Sequence, residues 1–211
     1  MRGLPKFVAP RDEPHKPVKE RIARAADLLF EQYGMNVGLR AIAHLAGTQM
    51  AFVIKYYGSL ERLQFDFLKS LFKQMDDSWR EAERSYPNDP EAQLRCWIYG
   101  IKIESDDSCS PHWQLSRMAA QLAQPITSGL EVDIDGFRQA ERRKVADKCS
   151  KAKLRDPAEL ADKLMLLIEG ARNERGSYGF RGPLDKLGLA ADDLLVAHGA
   201  VWKPPYDGLP D

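Results

Sequence analysis

The sequence contains no run of eighteen apolar residues, so it offers no helix to a lipid bilayer. Its three cysteines, Cys96, Cys109 and Cys149, are odd in number and widely spaced, and imply no disulfide framework. No segment alternates with period two for long enough to make a sheet strand, and no internal repeat shows. A glycine-rich phosphate loop and a nucleophile–base pair at a motif spacing are both missing. Net charge is missing too, since 31 Lys and Arg balance 31 Asp and Glu. What is there is ordinary for a globular chain of 211 residues: 44% hydrophobic and 29% charged. The remaining expectation is an all-α protein.

The charges are not evenly spread. Residues 1–63 hold ten Lys and Arg against six Asp and Glu, which leaves 21 against 25 for residues 64–211. A basic front on an acidic rear suits a nucleic-acid reader fused to a body that stays off phosphates. The opening "MRGLPKFVAPRDEPHKPVKE" is charged and proline-rich and has no apolar signal segment. A loose N-terminal arm over residues 1–17 and a cytoplasmic location are expected.

After Pro17, Ile22, Ala25, Ala26, Leu29, Phe30 and Tyr33 form one apolar stripe that Gly34 stops. Leu39–Leu45 fits a second short helix, with Leu39, Ile42 and Ala43 inward. Ala46-Gly47 makes a turn, and a third helix runs from about Gln49 to Tyr57. Ser59 caps a long fourth helix carrying Leu63, Phe67, Leu71, Met75 and Trp79, which ends before Pro87. Pro90 opens a fifth, "ESDDSCSPH" makes a loop, and a sixth lies around Trp113–Leu122. Residues 127–153 read as a charged helix, Asp156-Pro157 starts an apolar one, "GSYGFRGPL" is a loop, and Leu187–Gly199 is the last helix.

Two short helices joined at a glycine and packed on a preceding helix make a helix-turn-helix, whose second helix enters the major groove. An isolated helix of nine residues is marginal. Here Thr48, Val53 and Tyr57 are expected to pack inward and prop it. The blocks "ERIARAADLLFEQYG", "GLRAIAHLAG" and "YYGSLERL" agree in order and separation with the N-terminal domain of the tetracycline-repressor (TetR) family, which residues 19–68 resemble. "DPAELADKLMLLIEGA" is similar to that family's dimer-forming helix.

The resemblance implies a homodimer whose two heads read a palindromic double-stranded operator, with a helical body that takes a small effector. By position, Arg40, Gln49, Met50, Ala51, Phe52, Lys55 and Tyr56 would face DNA. Arg40 suits guanine and Gln49 suits adenine, while Lys55, Lys16 and Lys19 would reach phosphates. The chain departs from the family at Gly38, Thr48, Gln49 and Ile54, and at Leu60, where a phosphate-binding lysine is usual. Met50, Phe52 and Ile54 make the DNA side unusually apolar, so a weakly binding or degenerate head is the alternative reading.

For the body, Phe72, Met75, Trp79, Trp97, Ile101, Trp113 and Met118 are candidates to line a pocket for an apolar or aromatic effector, and all also suit a plain core. Leu160, Leu164, Leu167, Ile168 and Ala171 suit either an internal helix or a dimer face, and the dimer is preferred because a two-fold reader needs one. Cys109, His112, Asp106 and Asp107 resemble metal ligands or an enzyme site, but a single Cys-x-x-His cannot complete a zinc site. No cofactor or metal is expected, and a helical-bundle enzyme ranks last. "RQAERRKVADKCSKAK" reads as a solvated helical face. The expected organisation is an arm at 1–17, a helix-turn-helix domain at 18–63, an effector and dimerisation domain at 64–200, and an irregular tail at 201–211.

Overall fold

The computed structural model describes residues 16–104, 111–122, 130–178 and 183–201. Every regular element among the described residues is helical. The chain packs as two compact units, Met1–Ser70 and Leu71–Asp211. Asp106, Asp107 and Cys109 lie outside the described residues, as do most of the arm, the end of the tail and the His112 side chain.

The first unit holds α1 (Val18–Tyr33), α2 (Leu39–Leu45), α3 (Met50–Tyr57) and the opening turns of α4 (Leu60–Ser85). Ile22, Ala25, Ala26, Leu29 and Phe30 give α1 its buried stripe. Tyr33, the last residue of that helix, is exposed rather than inward. The stripe meets Ile42 and Ala43 of α2 and Val53 of α3, with Phe30 and Phe67 packed at 5.4 Å between ring centroids. Apolar groups at helical spacing on three short helices thus make one core, and its burial stabilises helices too short to stand alone.

Two glycines bracket α3. Gly47 sits at φ 59 and its N–H donates to the His44 carbonyl at 3.1 Å. Gly58 sits at φ 79 and its N–H closes on the Ile54 carbonyl at 2.8 Å. Both are left-handed positions that a Cβ would strain. The Arg62 N–H then donates to Ser59 Oγ at 3.3 Å and starts α4.

The second unit comprises the rest of α4, α5 (Pro90–Glu104), α6 (Pro111–Leu122), α7 (Leu130–Lys151), α8 (Pro157–Tyr178), a 3-10 turn (Pro183–Lys186) and α9 (Leu187–Ala197). "GSYGFRGPL" is only partly a loop, since α8 continues to Tyr178. Trp79 of α4 stacks on Trp97 of α5 at 4.3 Å, beside Leu94, Ile98 and Ile101. Leu160, Leu164, Ile168 and Ala171 belong to the same core, and Leu167 packs against it.

Preferring these residues for a dimer face is therefore corrected. Their own chain already covers Leu160, Leu164, Ile168 and Ala171 with α6, α7 and α9, so these four are closed to a second chain, while Leu167 is half-buried. The exposed side of α8 is the opposite stripe, Glu159, Asp162, Lys163, Leu166 and Gly170.

The charged run on α7 is corrected as well. Glu141 and Lys148 are buried among Val145 and Cys149. The Lys148 ammonium donates to Glu83 at 2.7 Å and Gln93 at 2.6 Å, partners distant in sequence that make its burial tolerable. A second buried cation, Arg95, bonds Glu91, Asp192 (2.8 Å) and the Val201 carbonyl (3.1 Å). Tyr99 also donates to Asp192, at 2.8 Å, so α5 is clasped to α9. Burial lowers the Arg95 pKa, but the bonds to Asp192 and Glu91 outweigh it and raise the net value.

Candidate nucleic-acid interface and ligand cleft

Val53 is fully buried, and Thr48 and Tyr57 are half-buried, so the inner side of α3 is the one expected. The Tyr57 hydroxyl donates to the Lys19 carbonyl at 3.1 Å and ties the end of α3 to the start of α1. Burial first, then the negative charges of Asp66 and Asp27, raise the Tyr57 pKa and keep the phenol a donor.

With that side fixed, Met50, Ala51, Phe52, Lys55 and Tyr56 are all exposed, as is Ile54. Gln49 is the N-cap residue and is exposed, and its side chain makes no capping bond. Arg40 on α2 and Lys16 and Lys19 at the start of α1 are exposed. The structure therefore brings Arg40 and the α3 residues onto neighbouring helices with their side chains in solvent. Lys55 is the only cation on α3, and its ammonium lies 5.9 Å from the Tyr56 ring.

Asp27, Glu31 and Asp66 form an acidic cluster whose charge reaches Tyr57 at the end of α3. Burial, with Glu31 and Asp66 adding repulsion, pushes the Asp27 carboxyl up to about 6.

In the second unit the candidate pocket residues separate. Met75, Trp97, Ile101 and Met118 are buried core, and none of them lines the cleft described next. Trp113 is half-buried under the Arg117 guanidinium at 4.5 Å. Phe72 and Trp79 do line an open cleft of about 440 Å³ between α4 and α7. Its α7 wall is Phe137, Ala140, Glu141 and Lys144, none of which the sequence marked, because helical charge periodicity alone gives no hint of a hollow. Phe72 stacks on Phe137 at 4.1 Å. Lys144 donates to Asp76 at 2.6 Å and lies 5.8 Å from the Trp79 ring, whose buried indole N–H has no hydrogen-bond partner. The cleft offers aromatic groups and charges of both signs.

No protein-family model matches the chain, and no curated protein does. Solved structures do match. A TetR-family transcriptional regulator from Streptomyces coelicolor superposes with a TM-score of 0.78 over 87% of this chain and 90% of its own, at 15% identity. The fold is that of a TetR-family regulator. A TetR regulator from Haloarcula marismortui matches 86% of this chain and 97% of its own, with a TM-score of 0.72 and 19% identity. The TetR-family repressor FadR of Thermus thermophilus, solved in complex with lauroyl-CoA, matches 90% of this chain and 99% of its own, with a TM-score of 0.58 and 18% identity. In this TetR fold the exposed face of α3 lies on the second helix of the helix-turn-helix. No helix among the described residues is long and apolar enough to cross a membrane.

Proposed function

We propose that this chain is a one-component transcriptional repressor that binds palindromic operator DNA as a homodimer and is released by a small effector. The observation that carries the reading is the outward face of α3, held on a packed three-helix head in a fold shared with transcriptional regulators. Residues 18–63 bind DNA, and residues 64–200 hold the effector and the dimer contact. Arg40 and Gln49 address base edges, Lys55, Lys16 and Lys19 address phosphates, and two α3 helices enter successive major grooves about 34 Å apart.

The α4–α7 cleft supports the effector half of the reading. Its volume and aromatic lining suit a small apolar or aromatic molecule, and a structural neighbour is bound to a small molecule. For the dimer, the exposed Leu166 of α8 and Leu189 and Val196 of α9 replace the core residues first considered. Effector binding works by population shift, favouring the form with the lower operator affinity.

Operator selection with the purified full-length protein, followed by gel shifts across a salt series, tests the proposal. Enrichment of a two-fold symmetric duplex whose affinity falls with salt is expected. Absence of any enriched duplex would favour the second reading, a ligand sensor with a degenerate head, which Leu60 and the single α3 cation support.

A further inference from the structure

Four of the eight residues of α3 are large apolar groups left in solvent: Met50, Phe52, Ile54 and Tyr56 are 43%, 41%, 46% and 41% exposed. We propose that this face reads thymine C5-methyl groups, so that the half-site is specified by apolar contact and not mainly by hydrogen bonds. The inference rests on the DNA-binding reading and names what the head selects.

Helix geometry places the contacts. Successive residues turn by about 100°, so with Val53 pointing inward, Ala51 and Lys55 point most nearly outward, and Phe52 and Ile54 flank them. Ala51, Phe52 and Ile54 are thus the apolar groups deepest in a groove. Of the features that base pairs show in the major groove, the thymine methyl is the apolar one. Arg40 and Gln49, exposed beside this patch, remain available for purine edges.

Charge favours a duplex over a protein as the occupant. From Gln32 to Leu60 the chain has no Asp or Glu, across both helices of the helix-turn-helix and the turn between them. In residues 16–70, eight Lys and Arg (Lys16, Lys19, Arg21, Arg24, Arg40, Lys55, Arg62 and Lys69) face five acids (Glu20, Asp27, Glu31, Glu61 and Asp66). An apolar stripe on helices that carry no acid of their own complements a wall of methyls between phosphate backbones. With Leu60 uncharged and Lys55 alone on α3, apolar burial takes a larger share of the affinity in this reading.

Deoxyuridine lacks only the methyl, which gives a clean test. In the operator selected as above, thymines are replaced by deoxyuridine one at a time, and Kd is measured with the full-length protein. Each methyl that α3 buries should cost about fourfold in affinity when removed, the equivalent of one buried methyl group. Phe52→Ala and Ile54→Ala, at exposed positions that leave the core intact, should bind the thymine and uracil versions of their contacted position alike. Lys55→Ala should weaken both versions equally. Unchanged Kd on the fully uracil-substituted operator would overturn the methyl reading while leaving a DNA-binding regulator standing. Failure to bind any duplex would sink both. Loss of self-association by Phe52→Ala, with discrimination between thymine and uracil retained, would assign the face to a protein partner and overturn the proposal.

Discussion

At the scale of single residues, Asp27 illustrates a cost carried inside the head. Its carboxyl titrates near 6 when folded and near its ordinary 3.8 when unfolded, so the folded form holds a proton that the unfolded form has released. Stability of the first unit should therefore rise as pH falls from 6 toward 4, and above 6 the charged carboxylate opposes folding in full. Asp27→Asn should stabilise the head by roughly 1 kcal/mol at pH 7.5, discounted for partial solvation, and by much less at pH 4. Thermal melts at the two pH values check this, and an equal gain at both would refute it. Lys55 and Leu60 make a second pair. In a dimer with two heads on the operator, Lys55→Ala should flatten the slope of log affinity against log salt by about 2, and Leu60→Lys should steepen it by about 2, both regardless of sequence. A base-specific loss at Lys55 would contradict its phosphate role.

At the scale of elements, much was legible because glycine, proline and serine mark boundaries through local geometry. Gly34, Gly47 and Gly58 stop α1, α2 and α3 where the apolar periodicity breaks, Ser59 starts α4, and Asp156-Pro157 precedes α8. The outer and inner sides of α3 followed from Val53, because a short helix with one buttress has one free face. Which partner a buried stripe meets was not legible. Leu160, Leu164 and Ile168 announce burial, but periodicity cannot say whether the cover is α9 of the same chain or a second copy. Nor could charge periodicity show that Lys148 lies beneath Glu83 and Gln93, since those partners are set by packing over 50 residues away. The two α8 faces make a testable contrast. Leu164→Ala should destabilise the second unit by about 2–5 kcal/mol at any protein concentration. Leu166→Arg, on the exposed stripe, should leave far-UV circular dichroism intact and shift sedimentation from dimer to monomer. A dimer that survives Leu166→Arg would place the contact elsewhere.

At the scale of the whole molecule, the proposed function requires operator and effector to be linked through one free energy. If the α4–α7 cleft is the effector site, a ligand that weakens operator binding tenfold must itself bind tenfold more weakly to the operator-bound protein. Titration calorimetry with and without operator reads both limbs of that cycle, and identical ligand affinity in the two would remove the cleft from the regulatory account. The cleft carries its own optical reporter. Trp79 lines it while its ring lies 4.3 Å from that of Trp97, close enough for the two indole transition dipoles to couple. Ligand entry that shifts Trp79 by even a fraction of a ring width would alter the exciton signal in the far-ultraviolet, so occupancy can be followed by unlabelled spectroscopy.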